Sequence, residues 1–248
     1  MTSKPLLAIE TSVPTARVAL LDAGGKCLAA TEKTAARHSA NLLSLVEEIL
    51  ATAGVDRSGL RGIACGAGPG SFTGLRVGMA VAKGLALPLG LPLLLESSLA
   101  VLARDLVALD GSARFVLPCI DAGKGQIYGR VYECAGHDVI PTTADDWVAE
   151  PKALCDLALE TVGDGRVVVG GSGVDRYVDV FRVVPFFGQV LEKVQGPSAL
   201  ILGKLALARL ERGEHDDLEN AVPRYGRPPD ITRPKNPLLL GLGIKPAH

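Results

Sequence analysis

Residues 66–78 have the sequence GAGPGSFTGLRVG, a glycine-rich run between two apolar segments. Residues 62–65 before the run favour a buried strand, and the apolar residues after it favour a helix that Pro88 ends. Ser71 or Thr73 is suited to cap that helix. A strand, a glycine turn and a helix start could present backbone N–H groups to an anion. The alternative is a tight structural turn whose glycines supply unusual dihedral angles.

The glycine run does not match the common phosphate-binding or nucleophile motifs. A P-loop needs a lysine after its second glycine, whereas five residues after Gly68 the chain has Thr73. The dinucleotide fingerprint G-x-G-x-x-G would need glycine where Ser71 stands. Ser71 also lacks the flanking glycines of a G-x-S-x-G elbow, because Pro69 and Thr73 occupy those positions. The run is therefore neither a standard NTPase loop nor an acyl-transfer nucleophile.

Composition and charge narrow the functional class. Of the 248 residues, 48% are hydrophobic and 21% are charged, which is typical of a globular protein with a large core. A net charge of -1 and an aromatic content of 4% argue against a protein that binds nucleic acid alone. The five cysteines form no C-x-x-C pair and the four histidines no H-x-x-x-H pair, so we predict no metal site. The N-terminus does not resemble a leader, and two prolines and a glycine break the most apolar stretch, residues 85–95, so we expect a cytoplasmic protein with no membrane partner.

The predicted elements occur twice in the same order. In the first half a strand ends at Glu10 and Thr11, and a hairpin, a helix, a strand and the glycine run follow. In the second half a strand ends at Asp121, and the same elements lead to a glycine turn at residues 170–173. This order predicts an internal duplication, the alternative being chance agreement of weak elements. The expected limits are residues 1–108 for the first lobe, 109–220 for the second and 221–248 for an extended tail.

Two halves of this kind resemble the lobes of the actin, Hsp70 and sugar-kinase superfamily. The resemblance implies an α/β fold of two duplicated, RNase H-like lobes, each a mixed sheet with flanking helices. Within this superfamily the chain resembles the TsaB family, also called YeaZ. The segments that carry this resemblance are residues 7–12, His38, residues 68–78, residues 120–122 with Tyr128, and residues 223–225.

The resemblance to TsaB implies a non-catalytic subunit of the bacterial complex that makes N6-threonylcarbamoyladenosine at position 37 of tRNAs that read ANN codons. The implied partners are the catalytic subunit TsaD, in a heterodimer, and the ATPase TsaE. Alone, the chain would form a homodimer, and it would meet tRNA only through the complex. No cofactor is implied for the chain itself, and ATP or ADP is expected only at an interface within the complex.

The related TsaD subunit holds its metal with an H-x-x-x-H pair that follows the strand after the glycine-rich helix. The corresponding residues here, 95–101, include no histidine, and Glu96 alone is insufficient for a transition metal. We therefore predict no catalytic residue in this chain. An alternative function is a free-standing ATP-dependent small-molecule kinase of the same superfamily.

The kinase alternative depends on the residues at the ends of the first strands of the two halves. Glu10, Thr11, Asp121 and Gly171 would line a weak nucleotide cleft, with the second glycine turn as an adenosine contact. The interpretation that we favour is structural, with Glu10 and Asp121 capping turns or forming ion pairs. His38 matches a histidine of the family, and we interpret it as a residue of the surface or of a helix entry.

The helix of residues 74–87 is apolar on every side and must be covered on every side. One side fits the sheet, and either another helix of the chain or a partner covers the other. Gly78, Ala82 and Ala86 are spaced by four and would let a second helix approach closely. Arg76 could contact an anion or a partner, or form a structural ion pair. The resemblance favours a partner, on a surface that includes the preceding helix. The predicted interface residues are Leu42, Val46, Arg76, Gly78, Met79, Ala82 and Leu85.

Overall fold

Five strands of the first half of the chain pair into one mixed sheet. The computed structural model describes residues 4–34, 42–136, 138–185 and 187–227, so His38 lies outside the described residues. The strands are β1 (Leu6–Glu10), β2 (Thr15–Leu21), β3 (Cys27–Thr34), β4 (Gly62–Gly68) and β5 (Leu93–Ser97). They pair in the order β3-β2-β1-β4-β5, with β1, β4 and β5 parallel. Because β1 and β4 are buried throughout, their sequences are continuously apolar or small rather than alternating, apart from Glu10 at the end of β1.

The second sheet repeats this topology. Its strands are β6 (Phe115–Gly123), β7 (Gln126–Gly129), β8 (Tyr132–Ala135), β9 (Asp138–Pro141), β10 (Trp147–Ala149), β11 (Val167–Gly170) and β12 (Phe187–Leu191). The order β10-β7-β6-β11-β12 matches the first sheet strand for strand, with β6, β11 and β12 parallel. The strands β8 and β9 form a hairpin beside β6. The predicted internal duplication is therefore confirmed.

Helices cover both faces of each sheet. They are α1 (Leu42–Ala53), α2 (Phe72–Leu89), α3 (Ser98–Leu109), α4 (Pro151–Val162), α5 (Ser172–Arg176), α6 (Val178–Arg182) and α7 (Ala199–Glu211). A 3-10 turn, Arg57–Gly59, precedes β4. On the first sheet α1 and α2 share one apolar core, and on the second sheet α4, α5 and α6 occupy the equivalent face.

The last helix of each half packs on the sheet of the other half. In α3, Leu102 and Leu106 are buried with Val116 and Ile120 of β6. In α7, Leu202, Ala206 and their apolar neighbours are buried with residues of β1 and β2. The predicted lobe limits follow chain order, whereas this packing crosses them, because α7 completes the core of the first sheet. The exchange joins the two lobes through a common helical layer.

Capping residues determine both ends of α2, and the C-terminal end differs from the prediction. Ser71 is the N-cap, and its hydroxyl accepts a hydrogen bond from Gly74 N at 3.2 Å. Pro88 does not end the helix but lies inside its last turn. The helix ends at Gly90, whose left-handed backbone (φ 60°) lets its N–H reach the carbonyls of the preceding turn. A proline there removes one helical donor, and the glycine supplies the actual stop.

Asp105 of α3 anchors the start of α7. Its carboxylate accepts hydrogen bonds from Ser198 N at 2.8 Å and from Ser198 Oγ at 2.7 Å. Ser198 Oγ in turn accepts from Ile201 N and caps α7. Burial outweighs these hydrogen bonds and raises the pKa of Asp105 from 3.8 to about 6.

Asp105→Asn is expected to stabilise the protein above pH 6. Because the folded-state pKa is raised, the native state keeps a proton that the unfolded chain releases between about pH 4 and 6. The contribution of Asp105 to the free energy of unfolding is therefore fully present below pH 4. This contribution, up to about 3 kcal/mol, is lost as the pH rises to about 6. Urea unfolding of both proteins at pH 4 and pH 7 measures this. A variant less stable at pH 7 would show that the charged carboxylate is required.

Candidate functional site

The acidic residue at the end of β1 is sealed inside the protein. Glu10 has no exposed surface, and its two carboxylate oxygens accept hydrogen bonds from Ser12 N at 2.7 Å and from Ser98 Oγ at 3.2 Å. Gly66 of β4 lies so close that a Cβ there would collide with the carboxylate. Burial, the largest influence, raises the pKa of Glu10. Glu10 thus links the β1–β2 turn to the start of α3, as the favoured structural interpretation predicts.

Thr11, the residue after Glu10, explains why two positions of the glycine-rich run are glycine. Thr11 is 1% exposed, and a Cβ at Gly78 of α2 would collide with its hydroxyl oxygen. A Cβ at Gly74 would likewise collide with the Thr11 carbonyl. The turn after β1 is further held by Ser71 N, which donates to Ser12 O at 2.7 Å. These glycines allow α2 to lie against the β1–β2 turn, which supports the structural interpretation of the run.

The equivalent acid of the second half is engaged in its own turn and in an ion pair. Asp121 Oδ2 lies 2.7 Å from Arg176 Nη1 of α5, and its Oδ1 accepts from Gly123 N at 3.0 Å. Asp121 N donates to Ser172 Oγ at 3.1 Å. Asp121 and Arg176 face a cleft of 590 Å³ between the two lobes. The predicted turn cap and ion pair of Asp121 are therefore confirmed.

The four residues predicted to line a nucleotide cleft do not share one open site. Asp121 lines the inter-lobe cleft, whereas Glu10 and Thr11 lie below its surface. Gly171 is buried, has a φ of 120° and packs against the Cys119 carbonyl. No group of these residues therefore presents open ligands to a phosphate or an adenine.

Six of the seven predicted interface residues are buried in the protein's own core. Leu42 and Val46 of α1 and four residues of α2 pack between those helices and the first sheet. The prediction of partner contacts at these positions is corrected, because side chains that fill the core are not available to another chain. The six residues are Leu42, Val46, Gly78, Met79, Ala82 and Leu85. Arg76 alone is exposed, and its contact with a partner stays a prediction.

The opposite side of α2 is open. Its exposed residues follow helical spacing along one line, which we call the outer face: Thr73, Arg76, Ala80, Gly84 and Leu87. Leu87 is 67% exposed, and a Cβ at Gly84 would meet no atom within 4 Å. The small residues of this face are Ala80 and Gly84, spaced by four. They, rather than the predicted Gly78, Ala82 and Ala86, would allow close approach of a second helix.

An aromatic stack fixes the charged end of the outer face. The Arg76 guanidinium lies 4.0 Å from the centroid of the Phe72 ring, and its Nε donates to the Tyr225 hydroxyl at 2.9 Å. The Phe72 and Tyr225 rings are 4.8 Å apart. Such a stack holds an exposed arginine in one orientation at low entropic cost. Neither Phe72 nor Tyr225 was predicted as a site residue, because 149 residues separate Tyr225 from Arg76 in the sequence.

Two duplicated lobes, with exchanged helices and with both strand-end acids held in internal contacts, define a member of the actin-like two-lobed class. The family model described as TsaD, tRNA N6-adenosine threonylcarbamoyltransferase, matches residues 30–160. The chain is 30% identical over 225 residues to the tRNA threonylcarbamoyladenosine biosynthesis protein TsaB of Escherichia coli K12, covering 90% of this chain and 94% of that protein. The chain belongs to the TsaB family.

Further relatives agree with this assignment. The TsaB protein of Haemophilus influenzae is 38% identical over 128 residues, which cover 52% of this chain and 53% of that protein. The solved structure of YeaZ from Pseudomonas aeruginosa is 30% identical and superposes with a TM-score of 0.74, covering 90% of this chain and 99% of that chain. A second structure, described as similar to peptidase YEAZ from Pseudomonas aeruginosa, is 31% identical with a TM-score of 0.77, covering 90% and 100%.

Proposed function

We propose that the chain is a non-catalytic subunit of the complex that makes N6-threonylcarbamoyladenosine at position 37 of ANN-decoding tRNAs. In this proposal it forms a heterodimer with the catalytic subunit TsaD, and the ATPase TsaE joins them. Membership of the TsaB family supports the pathway. The observation that carries the partner role is the outer face of α2, an exposed helix surface with small residues at its centre.

The buried acids support a non-catalytic role. A kinase of this superfamily needs an acidic residue that reaches its substrate as a base. Glu10 is fully buried and hydrogen-bonded, and Asp121 is paired with Arg176. Among the residues that the structure describes, no group of three or more His, Cys, Asp or Glu side chains is arranged to hold a metal ion. We therefore favour the partner subunit over the kinase.

The outer face supports helix-to-helix association. Ala80 and Gly84 let a partner helix come close, Leu87 offers apolar area, and Arg76 offers a fixed charge at the edge. In our proposal the chain alone forms a homodimer through this face, and TsaD occupies the same face in the complex. The homodimer must then open before the heterodimer forms. We further propose a cytoplasmic location, tRNA contact only through the complex, and ATP or ADP only at an interface within it.

Reconstitution of the transfer reaction tests the proposal. We expect no threonylcarbamoyl transfer to tRNA, and no kinase activity, from the purified chain alone. Addition of the chain to TsaD and TsaE from the same organism should raise transfer well above that of TsaD and TsaE without it. The measurement is the formation of modified adenosine in tRNA, supplied with the activated threonylcarbamoyl donor. Turnover by the chain alone that persists through further purification would contradict the proposal.

A further inference from the structure

The segment after α7 runs back along the first lobe. Asp216 N donates to Leu93 O of β5 at 2.8 Å, which places the start of the segment at the sheet edge. The carbonyls of Glu219 and Ala221 then accept hydrogen bonds from Lys83 Nζ of α2, at 3.0 and 3.1 Å. The segment therefore follows α2 towards the N-terminus of that helix.

The next residues lie on the glycine-rich run. Arg224 N donates to Ala67 O at 2.7 Å. Tyr225 joins the stack with Phe72 and accepts the hydrogen bond from Arg76. One residue of this segment thus completes the charged end of the outer face of α2.

The final described residues reach the second lobe. Gly226 packs so closely on β7 that a Cβ there would lie 2.5 Å from Tyr128 Cε1, and 3.4 Å from Pro69 Cβ of the glycine-rich run. The Arg227 side chain donates to Gln126 Oε1 at the start of β7. Within two residues the segment therefore contacts both lobes.

We propose that residues 214–227 form a strap that holds the two lobes at a fixed angle and links that angle to the outer face of α2. Elsewhere the chain passes between the lobes where α3 follows β5 and where α7 follows β12. Two such passages form a hinge, about which lobes of this kind rotate. A third connection at separate residues opposes that rotation.

The link to the partner follows from where the strap is anchored. Arg76 and Lys83 of α2 hold it, and Arg76 belongs to the outer face. A partner that covers Arg76 and Tyr225 stabilises the strap on α2, and the strap restrains the second lobe. This part of the inference rests on the proposed function, whereas the restraint on the lobes does not.

The test measures the distance between the lobes in solution. Spin labels are placed at Lys33→Cys and Asp179→Cys, both exposed, after replacement of Cys27 and Cys134 by serine. Double electron–electron resonance should give one narrow distance for the parent. Gly226→Val, which forces the strap off Tyr128, should broaden the distribution towards longer distances. We expect the open population to rise about tenfold, which corresponds to about 1.4 kcal/mol.

A matched substitution and a truncation complete the design. Gly111→Val is the control, because a Cβ at Gly111 would lie 3.8 Å from the nearest atom, the Val107 carbonyl oxygen. If Gly226→Val fails to fold, the same distance is measured in two truncated chains instead. One ends at Tyr225 and lacks the contacts with the second lobe, and the other ends at Arg227 and keeps them. A narrow, unchanged distance distribution in Gly226→Val, or in the chain that ends at Tyr225, would overturn the proposal that the strap holds the two lobes at a fixed angle.

The partner measurement separates the two claims. Affinity of the chain for TsaD is measured by calorimetry with the same variants. We expect Gly226→Val to weaken binding about tenfold while Gly111→Val leaves it unchanged. Unchanged binding alongside opened lobes would overturn the link to the outer face. Failure of the parent chain to bind TsaD would contradict the proposed function, and the distance measurement would still decide the strap.

Discussion

Ala80→Arg is expected to leave the protein folded and to weaken its association with TsaD at least about 100-fold, whereas Ala82→Arg is expected to unfold the first lobe. The two residues are two positions apart on α2, but Ala80 is exposed and Ala82 has no exposed surface. An arginine at position 82 would overfill the core and bury an unpaired charge, at a cost of about 5 kcal/mol or more. That cost is comparable to the whole stability of many domains.

Position 80 differs because the added side chain stays in water until a partner arrives. A surface substitution of this kind changes the free energy of unfolding by no more than about 0.5 kcal/mol. When a partner helix approaches, however, the guanidinium must lose its water without a partner charge. We expect binding of TsaD, and self-association, to weaken at least about 100-fold, the equivalent of roughly 3 kcal/mol.

Circular dichroism and sedimentation velocity distinguish these outcomes. Ala153→Arg on α4 is the matched control, since it makes the same change at an exposed helical alanine of the second lobe. It should neither unfold the protein nor alter binding. A folded Ala80→Arg variant that still dimerises and still binds TsaD would place the interface elsewhere.

The contrast between positions 80 and 82 of α2 shows that an apolar sequence pattern does not determine which side of a helix is buried. The sequence indicates a long helix capped by Ser71 or Thr73, and the structure confirms the helix and has Ser71 as its cap. It does not indicate which side faces the sheet, because apolar residues surround the helix and no polar stripe marks the solvent side. The choice depends on Thr11, whose close approach requires glycine at positions 74 and 78. That contact joins β1 to α2 and leaves no periodic signal.

Other features of the fold also separate into those that the sequence predicts and those that only the structure shows. The order of strands and the acids at Glu10 and Asp121 are local patterns, and the duplicated topology follows from them. The exchange of α3 and α7 and the path of the strap depend on packing between distant segments. Tyr225 illustrates this, since only the folded chain brings it to Arg76. Sequence patterns therefore predicted the architecture, whereas the surfaces required the structure.

Glu10→Ala is expected to destabilise the protein by about 3–5 kcal/mol, while Glu10→Gln is expected to be tolerated. The alanine leaves a cavity and removes the acceptor of two buried donors, Ser12 N and Ser98 Oγ. Glutamine has nearly the same shape as the protonated acid and keeps an acceptor oxygen for Ser12 N. It also removes the charge that burial disfavours.

The pH dependence provides the decisive comparison. The pKa of Glu10 is raised in the folded state, chiefly by burial, so the native protein keeps a proton that the unfolded chain releases above its ordinary pKa of 4.5. The contribution of Glu10 to stability is therefore fully present below pH 4.5 and is lost as the pH rises through the folded-state pKa. Glu10→Gln should match the wild type near pH 4 and exceed its free energy of unfolding at higher pH.

Urea unfolding of the wild type and both variants from pH 4 to pH 8 measures this difference. Asp105 titrates in all three proteins, so the difference between the wild-type and glutamine curves isolates Glu10. A carboxyl group poised to hold a metal-bound nucleotide would show the opposite behaviour, because it must be ionised and exposed to its ligand. A glutamine variant as unstable as the alanine variant at every pH would mean that the fold requires the ionised carboxylate. The kinase-like interpretation of the β1 end would then regain support.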